Sequence, residues 1–475
     1  MKMPLDLIKS EKNKDLLVYN GFIFRKERIS VNKAIWRCIE HSKAGCRGRC
    51  HTEDGEVIMH NDEHNHVPDA AKLSARRIIQ NVKDKAVNTQ LSTNNIIAQS
   101  SIGVSQATAV QLPSTSSIAR TIQRKRQTTS QAPSIPSNLA ELIIPDLYSK
   151  TKTGEDFLLF GSGPSVDRIL IFSTRKNLQL LAQCRNWFSD GTFKVVPPLF
   201  DQLYTIHAIQ HNKVTPFVFI LMPNRRESSY ERVFEALKNL EPSLNPDSIM
   251  TDFERAAMNA FNSSFPSSNQ RGCFFHFSQC IWRKIQSSEC HEIQKRYNDD
   301  PDFALQIKML AALAFVPPND VIRVFDDLVE SEFFDCNQRI LKPLIDYFLD
   351  NWIGMLQTRR RRRDPTFAIT LWNCYYAVID GLPKTNNALE GWHRAFSSLL
   401  SAHHPTIWKF INAIQQEQSL NELKLNQYSA GVSPPKSRRK YRDSAKNIMK
   451  IVEEYDQRDP IEYLSSIANH LNFNV

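Results

Sequence analysis

Four residues, Cys38, Cys46, His64 and His66, constrain the first part of this 475-residue chain more tightly than any other feature. They lie within residues 15–66, where apolar and polar positions alternate (LLVYNGFIFRKE, AIWRCIE, EVIMHNDEHNH) with turn residues between, the period of short half-buried strands. A β module of this size has a thin apolar core and needs a staple. Two thiolates and two imidazoles are a donor set that tetrahedral zinc takes, and on a strand His64 and His66, two positions apart, point the same way and can share one ion. The wide gap between the cysteines departs from the short C-x-x-C knuckle. A module whose cysteines only pack and whose histidines are solvated therefore answers to the same residues.

The order of residues carries a further likeness. Phe22 and Phe24, Trp36 with Cys38, Cys46 followed by Arg47 and Arg49, and the closing His64-Asn65-His66 together resemble the FLYWCH zinc finger. The resemblance covers residues 15–68 and implies that Cys38, Cys46, His64 and His66 are the zinc ligands. His41, His51 and His60 are then bystanders, and Cys50 stands where the family tends to place an apolar residue. It also implies DNA binding, sometimes with protein contacts, in which Arg25, Lys26, Arg47 and Arg49 reach phosphates.

A formal net charge of +10 favours polyanions, since each cation that neutralises a phosphate releases condensed counterions. Nucleic acid is the expected partner ahead of a membrane surface, with binding that weakens steeply in salt. The opening MKMPLDLIKSEKNKD has no apolar signal, and the longest apolar run, FVFILM at 217–222, is too short to cross a bilayer. Nine cysteines, an odd number, fit reduced thiols or metal ligands better than a disulfide framework, which predicts a soluble intracellular protein.

The chain divides by composition into a multidomain protein. Residues 1–70 form the small β zinc-binding module. Residues 71–138, rich in Ser, Thr, Gln and Asn, read as a basic disordered linker. From 139 to 290, strand-like runs (DFLLFGSG, DRILIFST, NWFSDGTFKVV, FDQLYTIHAIQ, TPFVFILM, SIMTDFE, GCFFHF) mix with helical ones (RKNLQLLAQC, ESSYERVFEALKNL, RAAMNAFNSS, SQCIWRKIQ). Three consecutive strands followed by alternating helix and strand predict a mixed α/β sheet that opens with an antiparallel meander. Residues 291–380 carry helical periodicity and form an all-helical insertion. Helices at 381–425 complete the core, and 426–475 is a basic C-terminal tail.

Within the mixed sheet, WFSDGTF sets a carboxylate, Asp190, inside an aromatic strand, and IMTDFERAAM places Asp252 at the end of another. Unpaired buried carboxylates are costly, so such groups look for cations or hydrogen-bond donors. Each has a plain structural role open to it: Asp190 as a strand-end residue before a turn glycine, Asp252 as a helix N-cap. Together they suit one divalent ion, and two-metal phosphoryl chemistry wants a third carboxylate. Glu390, early in the helix of TNNALEGWHRAF, is the candidate, although a first-turn glutamate is also what a helix dipole favours.

The runs SDGTFKVVPPLFDQLYTIHAI, PFVFILMPNRRESSYERVF, IMTDFERAAMNAF, GCFFHFSQCIWRKIQ and TNNALEGWHRAF resemble the transposase of Mutator-like elements across roughly residues 140–425. That likeness implies a ribonuclease-H-like core interrupted by a helical insertion, with Asp190, Asp252 and Glu390 as a DDE triad binding Mg²⁺ or Mn²⁺. It implies hydrolysis of a phosphodiester at the end of a mobile element, followed by attack of the freed 3′-hydroxyl on target DNA. Cys273 and His276 match the family's C-x-x-H element, in a structural role or near the site, and His393 shares the face of Glu390. The expected partner is double-stranded DNA, as element ends and target, with no membrane and with self-association open. A domesticated descendant that regulates transcription without cutting, or a zinc-dependent adaptor for proteins, fits the same residues. Basic runs at 120–127, 357–364 and 436–442 read as solvated charge, phosphate contacts or nuclear import signals, which makes the nucleus the expected compartment.

Overall fold

The structure, a computed structural model, describes residues 5–10, 14–30, 32–89, 91–129, 133–358, 361–400, 404–435, 439–471 and 473. It resolves into two units, Met1–Ser134 and Ile135–Val475.

The first unit opens with an antiparallel sheet whose strands follow chain order: β1 (Asp6–Lys9), β2 (Asp15–Tyr19), β3 (Phe22–Ser30), β4 (Lys33–Cys38), β5 (Arg49–Glu53) and β6 (Glu56–Asn61). Alternation places Leu17, Phe24, Trp36, Cys38, Cys46 and Cys50 in one small core, while Ile8, Leu16, Val18 and Ile23 form a second cluster.

The segment predicted as a disordered linker is instead helical over Ala70–Asn88, Thr93–Ser100, Gln106–Gln111 and Thr115–Thr129. Some of the polar residues here cap helices. The side chains of Asp69, Ser92 and Ser105 accept from the backbone N–H groups of Lys72, Asn95 and Thr108, filling orphan donors at three helix starts. Val82, Ala86, Ile96, Ile118 and Ile122 then bury against one another, a core too sparse for its periodicity to stand out in the sequence.

In the second unit, β7 (Leu158–Gly161), β8 (Leu170–Phe172), β9 (Asn186–Thr192), β10 (Gln202–Gln210), β11 (Lys213–Met222), β12 (Ser248–Thr251) and β13 (Asn269–Gly272) make one sheet ordered β13-β12-β9-β10-β11-β8-β7. The predicted meander is there: β9, β10 and β11 pair antiparallel, whereas β12 runs parallel to β9, and β13 parallel to β12. On one face Trp187, Ile206, Ile220 and Ile249 pack beneath helices Glu227–Leu240 and Arg255–Ser264, through Phe234 and Phe261.

Two expectations are corrected here. GCFFHF is not a strand: β13 stops at Gly272, and Cys273 precedes the helix Phe274–Ile285, which carries His276 in its first turn. A short apolar run fits either state, and Phe274, Phe277, Ile281 and Ile285 all sit buried at helical spacing. Nor is 426–475 a free tail. Its helices Arg439–Glu453 and Pro460–Ala468 bury Val452, Tyr463, Leu464 and Ile467 in the same core as Phe277, Phe315, Trp352 and Trp372 of the helical segment. That segment, predicted at 291–380, is helical apart from a small hairpin, Leu356–Thr358 with Arg361–Arg362.

Because Leu464 is fully buried in this core, Leu464→Ala should lower the stability of the second unit by about 2–5 kcal/mol, the usual cost of removing a buried side chain and leaving a cavity. Urea unfolding followed by tryptophan fluorescence measures it. A change below about 0.5 kcal/mol, the range of an exposed position, would show the C-terminal helices to be dispensable.

Candidate functional site

The first unit gathers its four predicted ligands. One donor atom each from Cys38, Cys46, His64 and His66 lies within 4.8 Å of all the others. Cys38 closes β4, Cys46 sits in the loop before β5, and both histidines follow β6. The Sγ of Cys38 is 3.3 Å from His66 Nε2, and that of Cys46 is 3.2 Å from His64 Nδ1. The surrounding contacts orient them. His66 Nδ1–H donates to the Val67 carbonyl (3.2 Å), leaving Nε2 with its lone pair toward Cys38, while His41 Nδ1–H donates to the carbonyl of Cys46 (2.8 Å).

The His64 ring stacks on Phe22 with centroids 3.6 Å apart and planes 5° from parallel. Its other side is closed by Gly48, where a Cβ would lie 2.2 Å from the imidazole, so only glycine fits. Burial holds the pKa of His64 below the usual imidazole range, which keeps it neutral and able to ligate. Burial, with Cys46 adding, pushes the Cys38 thiol up to about 11. A cation between the sulfurs is what would deprotonate them, so the donor chemistry fits zinc. Cys50 is buried in the core and, among the described residues, belongs to no donor set; His60 joins Asp62 and His64 in a second set that shares His64.

In the second unit the sheet brings the two aspartates together. The parallel register pairs Asn186, Trp187 and Phe188 of β9 with Ser248, Ile249 and Met250 of β12. Phe188 and Met250 share a face, packed with Cys273 and Leu389, and two residues further along each strand stand Asp190 and Asp252. Burial and then the charge of Asp190 raise the pKa of Asp252, while His276 on the adjoining helix opposes the shift. Glu254, two residues on, is likewise raised by burial and then by Asp252, and its Oε1 accepts from Tyr230 Oη (3.0 Å).

The glycine after Asp190 has a steric reason. A Cβ at Gly191 would come within 2.7 Å of Gln202 Oε1, and the residue's N–H donates to Asp190 Oδ1 (3.0 Å).

The helix Asn387–Leu400 covers this face. Asn386, fully buried, donates its backbone N–H to Cys273 Sγ (3.1 Å) and its Nδ2 to the Ser189 carbonyl (3.4 Å), tying the helix start to the strand that carries Asp190. Cys273 is thus a structural acceptor, and the charge of Glu390 adds to the burial that pushes its thiol up to about 12. His393, one turn beyond Glu390, brings Nε2 to 3.3 Å from Asp190 Oδ2, with both side chains nearly buried. Asp190, Asp252 and Glu390 therefore belong to one face of one sheet. Among the described residues, however, they do not form a set whose ligand atoms all lie within 4.8 Å, as the cysteine and histidine set does.

Asn386 and Gln202 escape sequence reasoning, because nothing in a lone amide announces a distant partner. Of the residues expected on phosphates, Arg49 is instead paired with Glu27, while Arg47 is exposed. In the basic runs, Arg126 donates Nε–H to the Ala86 carbonyl (3.1 Å), Arg362 pairs with Asp326, and Arg363 pairs with Asp350 (2.6 Å). Arg359, Arg360, Lys436, Ser437 and Arg438 lie outside the described residues. No helix among the described residues is long and apolar enough to cross a membrane.

Two substitutions test the metal centre. Cys46→Ser should abolish stoichiometric zinc, read by elemental analysis of the purified chain. Gly48→Ala, by displacing His64, should weaken zinc about 10- to 100-fold in a chelator competition. Unchanged zinc in either variant would remove that residue from the centre.

Residues 7–66 match the family model of the FLYWCH zinc finger domain, and residues 186–280 that of the MULE transposase domain. The second match includes Asp190, Asp252, Cys273 and His276, and ends before Glu390. FLYWCH-type zinc finger-containing protein 1 of Mus musculus is 36% identical over 74 residues, which is 16% of this chain and 11% of that protein. The Homo sapiens protein of the same name is 36% identical over 74 residues, covering 16% of this chain and 10% of its own length. The match thus spans about a tenth of these relatives. With a zinc-type Cys/His cluster in the first match and paired acids in the second, the chain has an N-terminal FLYWCH zinc finger followed by a MULE transposase domain.

Proposed function

We propose that this is a transposase-derived DNA-binding protein whose second unit is a DDE nuclease of the Mutator-like class, cutting DNA strands and joining them to a target. The observation that carries the reading is the parallel pairing of β9 with β12, which sets Asp190 and Asp252 side by side beneath the helix bearing Glu390. The order β13-β12-β9-β10-β11, with its antiparallel meander and two parallel strands, is what a ribonuclease-H-like core would have.

Mg²⁺ or Mn²⁺, once bound, would supply charge stabilisation to the attacking and leaving oxygens of an in-line displacement. The chain's own residues would prepare the place. Asp190 and Asp252 offer hard oxygen donors, Glu390 completes the set from the covering helix, and Asn386 with Cys273 holds that helix to the sheet. Zinc in the first unit would staple the finger that recognises DNA. The nucleus is the compartment consistent with that substrate, and assembly on two DNA ends would bring copies of the chain together.

One observation favours a second reading. His393 Nε2 lies 3.3 Å from Asp190 Oδ2, and among the described residues the three acids form no ligand set within 4.8 Å, as expected of a domesticated regulator that binds DNA without cutting.

The readings part on one measurement. The full chain, incubated with supercoiled plasmid and Mg²⁺ or Mn²⁺, should nick it, and Asp190→Asn should lower the rate by about a hundredfold or more while zinc content stays unchanged. DNA binding without nicking would establish the regulator, and nicking that survives in Asp190→Asn would take Asp190 out of the chemistry.

A further inference from the structure

We infer that the phosphodiester backbone of duplex DNA is gripped by a groove of about 1000 Å³ in the first unit, built jointly by the finger sheet and the helix Ala70–Asn88 that follows it. The inference rests on the DNA-binding reading and names the surface that does the binding. Six cations line the groove: Lys14, Arg25, Lys26, Arg28, Arg37 and Arg76. Arg76 comes from the helix, beyond the residues matched as a FLYWCH domain.

The helix is fastened to the sheet, which makes the groove one rigid surface. Leu73 packs against the Ile8, Leu16, Val18 and Ile23 cluster, and Lys72 pairs with Glu40 at 2.6 Å. Arg77 pairs with Asp6, and the backbone N–H of Lys9 donates to Gln80 Oε1 (3.0 Å).

A bulge concentrates the charge. In a regular strand alternate side chains leave for opposite faces, but the pairing of β3 with β4 shifts between Lys26 and Arg28. Opposite Arg37 and Ile35 of β4, Arg25 and Arg28 leave from one face as a result, and both line the groove, which Lys26, opposite Trp36, borders as well.

The two acids in the groove are already engaged. Glu27 takes Arg37 (3.4 Å) together with Arg49, and Asp15 takes Lys9. What remains is uncompensated. Arg25 donates only to the Ser42 hydroxyl (2.8 Å), and Lys26 lies 4.9 Å over the Trp36 ring. Among the described residues no carboxylate lies within 4.0 Å of Lys14, Arg28 or Arg76. Like charges gathered in a groove repel one another and focus a positive potential, and an extended polyanion relieves that repulsion wherever a phosphate meets a cation. Of the four cations the sequence offers to phosphates, Arg25 and Lys26 line the groove, whereas Arg47 lies outside it and Arg49 is already paired.

The test uses the full chain and a random-sequence DNA duplex, with affinity measured by fluorescence anisotropy at salt concentrations between about 50 and 200 mM. The double variant Arg28→Ala with Arg76→Ala should keep its zinc and reduce the slope of log affinity against log salt by about 2, close to one unit for each phosphate left without its cation. A second readout is local: the duplex should shield Lys14 and Lys26 from amine acetylation, mapped by mass spectrometry. An unchanged slope with both lysines as reactive as in the free protein overturns the groove and leaves DNA binding by other surfaces intact. A parent chain that fails to bind the duplex at the lowest salt overturns the DNA-binding reading itself, and the groove with it.

Discussion

Two carboxylates on neighbouring parallel strands repel each other, and burial makes the repulsion worse because less water screens it. Everything around Asp190 and Asp252 is arranged about that liability. The β9 and β12 register leaves the two strands no choice of partner, since slipping by one residue would send Trp187 and Ile249 to the covered face and the acids to the other. Their neighbours are the groups that make such a pair tolerable: His393 at 3.3 Å from Asp190, and His276 pulling down a carboxyl that burial and Asp190 push up. The arrangement costs stability, and a pair of acids held so is a common mark of a site rather than of a scaffold.

The acids are legible in the sequence for a physical reason. A charge inside WFSDGTF and another closing IMTD interrupt strands whose remaining residues are buried, and strands of that period are the strongest local signal a sequence carries. Their convergence needs the pairing of β12 with β9, between strands about sixty residues apart, and no local pattern encodes that. His393 can be placed on the face of Glu390 by helical spacing, but what lies beneath that face is a fact of packing.

The expectations that fail share this origin. In 71–138 composition gives serine and threonine one weight, whereas position decides their meaning: just before a helix they cap it, elsewhere they solvate a loop. At the C-terminus the basic run masks Ile448, Ile451, Val452 and Tyr455, buried at helical spacing and wedged into the helical core. GCFFHF misleads because two aromatic residues in a row belong equally to a strand and to a helix that is buried most of the way round. The deciding fact, Phe274 N–H donating to the carbonyl of Lys384, lies over a hundred residues away.

The two units offer a metal opposite kinds of donor. In the finger, soft sulfur and nitrogen donors meet from the end of β4, the loop before β5 and the segment after β6, and zinc held there would be structural, fixing where these elements stand. In the sheet, hard oxygens sit at strand ends open to a face, where an ion would be held loosely enough to meet a substrate. The difference appears in how each donor is supported. His64 and His66 are clamped by Phe22, Gly48 and the Val67 carbonyl, whereas Glu390 rides on a helix that Asn386 ties to the sheet at its start and that Trp392, donating to Glu417 (2.8 Å), and the buried Phe396 and Leu400 hold along its length. That helix therefore stands fixed over the sheet, and what it brings to Asp190 is His393, whose Nε2 lies 3.3 Å from Asp190 Oδ2.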